Sequence, residues 1–186
     1  MTKLRILIVG GVAGGASCAA RARRLNEEAE IIIFERGPYV SFANCGLPYY
    51  MGGVIAEERK LLVSSVEVFK SRFNVEVRTE HEVIAIDRSR SEIQVKRLGT
   101  GEVYRERYDA LVLAPGAVPI RPPVSGADLP GIFVIRSIPD TREIKQWIER
   151  HRAKSAVVVG AGFIGLEAAE NLCRLGIKVT ILEMLD

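Results

Sequence analysis

Cys45 stands in Ser41-Phe42-Ala43-Asn44-Cys45-Gly46-Leu47-Pro48-Tyr49-Tyr50, a short stretch flanked by glycine and proline. It follows directly behind a strand–turn–helix–strand pattern with a glycine-rich turn. A thiolate is the reactive form of cysteine, and one thiol presented beside a nucleotide-binding turn points to electron exchange between a dinucleotide and sulfur. Gly160-Ala161-Gly162-Phe163-Ile164-Gly165 carries the GxGxxG pattern after the apolar run Val157-Val158-Val159 and before a helical stretch. There the first glycine permits the tight turn, the second lets the backbone approach a pyrophosphate, and the third brings helix against strand. Glu183 closes the next strand about 20 residues on, where a carboxylate accepts bonds from a ribose diol. A 2′-phosphate would meet like charge at Glu183, so NADH is favoured over NADPH.

An earlier copy departs from this rule. Gly10-Gly11-Val12-Ala13-Gly14-Gly15 has Val12 where the middle glycine should stand. Glu35 closes the following strand and Arg36 follows it, which restores the ribose-binding logic. Two such turns imply two nucleotides, and a flavin with a nicotinamide is the economical pair. Cys45 is then the contact for the final electron acceptor; its other reading is a buried structural thiol. Cys18 and Cys173 fall in alanine- or leucine-rich helical stretches and read as small core residues.

The elements that must position these residues follow from periodicity. Residues 4–9 form a short buried strand, 16–25 an alanine-rich helix with a basic end, and 31–34 a second buried strand. Ser64-Ser65-Val66-Glu67 has the capping-box pattern and opens a helix through about residue 72. The runs 75–77, 83–87, 93–97 and 103–107 alternate and read as an antiparallel meander. Residues 110–113 return to a buried strand, stopped by Ala114-Pro115-Gly116. A proline-rich linker covers 119–131, and Pro139-Asp140 starts a helix through about residue 151. Residues 156–182 then repeat the opening strand–turn–helix–strand pattern. The fold class is α/β: two Rossmann-like dinucleotide-binding units with an inserted antiparallel β-meander at about 74–107. The boundaries are 1–118 for the first domain and 132–186 for the start of the second. Two strands and one helix cannot cover both faces of a parallel sheet. The second unit therefore reads as incomplete, the chain as the N-terminal part of a longer protein, and the piece alone as inactive.

Bulk properties exclude other classes. The 186 residues are 48% hydrophobic and 26% charged, with a formal net charge of only +3, so nucleic acid is not the expected partner. The basic run Arg21-Ala22-Arg23-Arg24 is either a solvated helix end or a site for a phosphorylated ligand. The longest apolar run near the start, residues 6–9, is too short for a signal segment or a membrane span, so a cytoplasmic protein is expected. Three widely spaced cysteines argue against a disulfide scaffold. With His81 and His151 the only histidines and no CxxC, no metal site is expected.

Taken together, these residues resemble the flavin-dependent pyridine nucleotide–disulfide oxidoreductases, along the whole chain. The resemblance is strongest to the single-cysteine branch of coenzyme A-disulfide reductases and NADH-dependent CoA-persulfide reductases. Its specific parts are residues 8–15, 41–50, Leu113-Ala114-Pro115-Gly116-Ala117 and 160–165; Val12 is usual in that branch. Relatives with a CxxxxC pair differ, since the residue five beyond Cys45 is Tyr50. The resemblance implies that Cys45 attacks a CoA disulfide or persulfide and that FAD, fed by NADH, reduces the product. It implies FAD contacts at Gly10, Val12, Ala13, Gly14, Glu35, Arg36, the backbone at Val83, Ala114, Pro115 and Gly116. NADH contacts are implied at Gly160, Gly162, Phe163, Ile164, Gly165 and Glu183. Ser17, Arg24, Ser41 and Asn44 match CoA-holding positions, and Arg21 occupies another with a changed residue type. A homodimer, completed by a C-terminal half, is also implied. Three readings compete: an NADH oxidase or peroxidase cycling Cys45 through a sulfenic acid, a nucleotide-binding fragment without catalysis, and an electron-transfer subunit without thiol chemistry.

Overall fold

The computed structural model describes residues 3–184. Positions 1–2 and 185–186, at the outer edges of the expected domains, lie outside the described residues. The described residues pack as two units, one within residues 1–42 and 62–116, the other within residues 43–61 and 117–186. Residues 43–61, expected within the first domain, pack with the second unit, and so do residues 117–131, expected as the end of the first domain and a linker.

The first unit is built on a parallel sheet of four strands, β1 (Arg5–Val9), β2 (Glu30–Glu35), β3 (Glu76–Thr79) and, later in the chain, β7 (Ala110–Leu113), in the order β3-β2-β1-β7. Helix α1 (Gly14–Leu25) connects β1 to β2, and α3 (Val66–Phe73) precedes β3. Alternate side chains of the strands point to opposite faces. Ile6, Ile8, Ile31 and Ile33 pack with Ala16, Ala19 and Phe69 of the helices. Leu7, Ile32 and Phe34 pack with Ile93 and Val95 of an antiparallel meander, β4 (His81–Asp87), β5 (Glu92–Arg97) and β6 (Val103–Arg107). Both faces are therefore covered, as a parallel sheet requires. The run 75–77 was expected in the meander; it pairs instead in parallel with β2, Ile33 beside Val77. A short alternating run does not reveal which neighbour it will pair with. Helix α3 is capped by Ser65, whose hydroxyl accepts from Val68 N–H, rather than by Ser64.

Charge fastens the meander to the sheet. Glu106 on β6 accepts from Arg5 Nη2 of β1 (2.6 Å) and from Arg78 Nη1 of β3. Arg78 also binds Glu76 and the Tyr104 hydroxyl and lies over the Phe34 ring. Burial pushes the Glu106 carboxyl up, but hydrogen bonds from Arg78 and Arg5 outweigh it and hold the group below the usual carboxylate range.

The second unit has a two-stranded parallel sheet, β8 (Ser155–Val159) and β9 (Lys178–Leu182), connected by α5 (Phe163–Arg174). Against one face lie α2 (Leu47–Met51), α4 (Ile138–His151) and α5, with Met51, Ile144, Ala168, Leu172 and Ile177 forming the core. Val157 and Val159 on the other face are exposed. Helix α4 starts with a complete capping box, Ser137 to Asp140 and back, with proline in its first turn. Between the strand β7 and α4, residues 114–136 hold neither helix nor strand. Cys18 is half-buried against the first core, whereas Cys173, expected in a core, is exposed on α5. Among the described residues no helix is long and apolar enough to cross a membrane.

Two substitutions test these packings. Glu106→Gln should cost about 2 kcal/mol at neutral pH, because it leaves two half-buried arginines short of a charged partner. A carboxyl held low stabilises the fold above its unfolded value and loses that contribution as pH falls. The deficit, read by hydrogen exchange in β5, should therefore shrink below about pH 4. Gly52, at the end of α2, has no room for a side chain. A Cβ there would stand 2.5 Å from Asn171 Oδ1 and 2.6 Å from Asn171 Cβ, and Asn171 is fully buried. Gly52→Ala should cost about 1–3 kcal/mol in urea unfolding followed by Trp147 fluorescence.

Candidate functional site

The first glycine turn is fixed by steric closeness. Gly10 adopts a left-handed backbone (φ +91°), and a Cβ on it would stand 2.0 Å from the Ala114 carbonyl oxygen. A Cβ on Gly15 would stand 1.8 Å from the Gly10 carbonyl oxygen. Only glycine allows α1 to start this close to the end of β1. The turn is then braced from β2: Gly10 N–H donates to Phe34 O (2.8 Å) and Gly11 N–H donates to Glu35 Oε2 (2.7 Å). Glu35 Oε1 accepts from Gly37 N–H (2.7 Å). A carboxylate has about four acceptor sites, so Glu35 keeps lone pairs for a ribose. Ala13 and Gly14, at the start of α1, are exposed, Val12 is half-buried, and no side chain caps this helix end. The backbone N–H groups of its first turn suit a phosphate.

The second turn repeats the construction in the second unit. Gly160 has φ +99°, and a Cβ on Gly165 would stand 2.0 Å from the Gly160 carbonyl oxygen. Gly160 N–H donates to Leu182 O (2.8 Å), and Ala161 N–H donates to Glu183 Oε2 (2.6 Å). Gly162 caps α5 without a side-chain bond, and Phe163 and Ile164 are exposed in its first turn. Each strand-end glutamate thus holds the N–H of the second residue in its own glycine turn. Val12 does not disturb this arrangement, since the tightest approaches fall at the first and last glycines.

Ala114 N–H donates to Val9 O (2.8 Å) and continues the sheet before Pro115 and Gly116 turn away, Gly116 with φ +71°. This turn lies against Gly10. Next to it an apolar trough is lined by Val9, Val83, Ile84, Ala85, Ile86, Leu113 and Pro115. A bulge between Val83 and Ala85 shifts the register of β4 there. The structure therefore brings Gly10, Gly14, Ala114, Pro115, Val83 and Glu35 together in the first unit. Ile84 and Ile86 were missed; two apolar side chains on the outer face of a meander strand were the available signal. Arg36 is exposed and forms a surface ion pair with Glu82 (3.6 Å).

The basic run on α1 divides. Arg23 is buried, its guanidinium donating to the carbonyls of Phe73 and Asn74 (both 2.8 Å), Asn26 and Glu27. It ties the end of α1 to the end of α3. Ser17, Arg21 and Arg24 are exposed and share one face of α1, as their helical spacing requires. Ser41 has a left-handed backbone (φ +48°), uncommon for serine, and is pinned on both sides. Its N–H donates to Gly11 O (2.9 Å) and its carbonyl accepts from Val63 N–H (2.8 Å).

In the second unit Asn44 and Cys45 lie in a 3₁₀ turn, Asn44–Gly46, running straight into α2. Gly46 N–H donates to Ala43 O (3.0 Å) and Ala43 N–H to Leu61 O (2.8 Å). A Cβ on Gly46 would stand 2.7 Å from Leu61 Cδ2, so this turn is packed down on a fully buried leucine. Cys45 is exposed, which removes the reading of a buried structural thiol. Asn44 Oδ1 is buried and accepts no hydrogen bond from the described residues. The helical state of residues 47–51 was not expected from a Pro-containing stretch; Pro48 sits in the first turn, where it costs nothing.

The pyridine nucleotide-disulphide oxidoreductase family model matches residues 4–186. The coenzyme A disulfide reductase of Staphylococcus haemolyticus is 44% identical over 178 residues, which are 96% of this chain and 40% of that protein. The reduced CoADR-RHD protein of Bacillus anthracis superposes with a TM-score of 0.92 at 51% identity, over 99% of this chain and 33% of its own. The NAD-dependent persulfide reductase of A. fulgidus gives 0.94 at 40% identity, over 98% and 34%. The chain thus spans about 40% or less of the length of these relatives. Two glycine turns of matching construction and these likenesses lead to one statement: the chain belongs to the pyridine nucleotide-disulphide oxidoreductase family.

Proposed function

We propose that the protein uses NADH, through FAD, to reduce the disulfide or persulfide of coenzyme A at Cys45. The observation that carries this is the duplicated turn: two strand–helix junctions, each closed by a glutamate onto its own glycine loop, in a chain whose intervening segment exposes a thiol. The first turn and the apolar trough would hold FAD, through Gly10, Val12, Ala13, Gly14, Glu35, Arg36, Val83, Ala114, Pro115 and Gly116. The second would hold NADH through Gly160, Gly162, Phe163, Ile164, Gly165 and Glu183. The exposed stripe of Ser17, Arg21 and Arg24 suits the phosphates of coenzyme A. Ser41 and Asn44 would add substrate contacts; Asn44 Oδ1, without a partner among the described residues, can accept a hydrogen bond.

In the chemistry, Cys45 Sγ attacks one sulfur of the CoA disulfide as a thiolate. The S–S bond breaks, one CoA thiolate leaves, and Cys45 is held in a mixed disulfide. The residues of the first turn would hold FAD, which would supply two electrons from NADH; with these the mixed disulfide at Cys45 would break, releasing the second CoA thiolate and restoring the Cys45 thiolate. With a CoA persulfide, Cys45 would attack the outer sulfur, CoA thiolate would leave and a Cys45 persulfide would form; two electrons from NADH by way of the flavin would then release hydrosulfide and restore the Cys45 thiolate.

Cys45→Ser in the intact protein should abolish NADH-dependent reduction of both CoA substrates while leaving FAD bound. Retained full CoA-disulfide turnover would discard the mechanism, and oxygen consumption matching or exceeding CoA turnover would favour the oxidase reading. Glu183 should repel a 2′-phosphate, so NADH should be preferred over NADPH by kcat/KM. Glu183→Gln should narrow that preference, measured with both nucleotides at fixed substrate.

A further inference from the structure

Helix α2 starts directly behind Cys45 yet has only five residues, too few to hold a helix by itself. Its apolar side is buried through Leu47 and Met51, and apolar packing is not directional. Tyr50 adds direction through its carbonyl, its ring and its hydroxyl. Lys145 Nζ on α4 donates to the Tyr50 carbonyl oxygen (3.1 Å) and lies 4.5 Å from the centre of the Tyr50 ring. The Tyr50 hydroxyl meets Glu58 Oε2 (3.3 Å). Glu58 in turn takes a two-pronged hydrogen bond from Arg142 on α4, Nε to Oε2 at 2.8 Å and Nη2 to Oε1 at 2.7 Å. A charged fork of this kind fixes orientation as well as distance.

We infer that Arg142 and Lys145 are positioning residues for Cys45, acting through Glu58 and Tyr50 to fix α2 and the thiol-bearing turn at its head. Neither sits in a glycine turn or on the α1 stripe. The inference rests on the role of Cys45 proposed above. Loss of the fork removes the charged clamp on Glu58, the partner of the Tyr50 hydroxyl, and loss of the ammonium removes a charged donor from the Tyr50 carbonyl. Either change lets the turn rotate on its apolar footing, and a misplaced nucleophile is costly in rate.

The test uses the intact, FAD-loaded protein carrying Arg142→Gln, Glu58→Gln, both together, or Lys145→Met, with Cys45→Ser as reference. Two readouts are taken: kcat and KM with CoA disulfide, and iodoacetamide labelling of each cysteine by peptide mass. Expected is a roughly ten- to hundredfold fall in kcat with KM for NADH unchanged. The labelling rate of Cys45 should change several-fold while those of half-buried Cys18 and exposed Cys173 stay at wild-type values. The double variant should be no worse than either single one, because fork and carboxylate act as one unit. If Arg142→Gln does not fold, Lys145→Met carries the same test alone. Unchanged kcat and Cys45 labelling, with Cys45→Ser inactive, would overturn the positioning role and leave the proposed function standing. So would parallel acceleration at Cys18 and Cys45, which marks general loosening. An active Cys45→Ser would instead remove the function on which the inference rests.

Discussion

The distance between the start of a helix and the end of the strand before it governs this molecule. At Gly15 and again at Gly165 a single carbon added to the backbone would stand 2.0 Å or less from the carbonyl oxygen of the first glycine in the turn. That closeness aims the N–H groups of the first helical turn at one point, and a pyrophosphate is the group such a point accepts. The carboxylates of Glu35 and Glu183 then lock each loop through its second N–H. In the first unit two isoleucine layers lie on one sheet face and the meander on the other.

The thiol depends on a different kind of support. Its turn has no long element of its own and borrows rigidity from its surroundings in the second unit. Leu61 lies beneath Gly46, Asn171 stands against Gly52, and α4 grips Tyr50. Apolar contact sets how deeply the segment sits, and charge sets its angle. Such a division suits a nucleophile that must stay exposed while its backbone stays still.

Much of this was legible in the residues. The βαβ duplication, the strand-end glutamates, the helix start at Pro139-Asp140 and the exposed thiol follow from spacing, glycine placement and turn chemistry, which act locally. What escaped depends on partners distant in sequence. Residues 75–77 alternate like a meander strand but pair with β2, since alternation does not encode the neighbour. Arg23 belongs to a basic run and is buried, because four backbone carbonyls at the ends of α1 and α3 replace its water. Cys173 lies in a leucine-rich helix on its exposed side. Val12 departs from the motif without altering the turn, as the tight approaches lie at the glycines on either side. The grouping of residues 43–61 with the second unit could not be read locally, since it rests on Met51, Gly52 and Tyr50 meeting α4 and α5.

The central claim is that the sulfur of Cys45 exchanges electrons with a bound flavin. An anaerobic titration of the intact FAD-loaded protein with NADH, followed by absorbance, tests it most directly. A long-wavelength band should grow in as the thiolate forms beside the oxidised flavin, and the same titration of Cys45→Ser should lack it. A band that persists without that sulfur, or no band in the unaltered protein, would contradict the account.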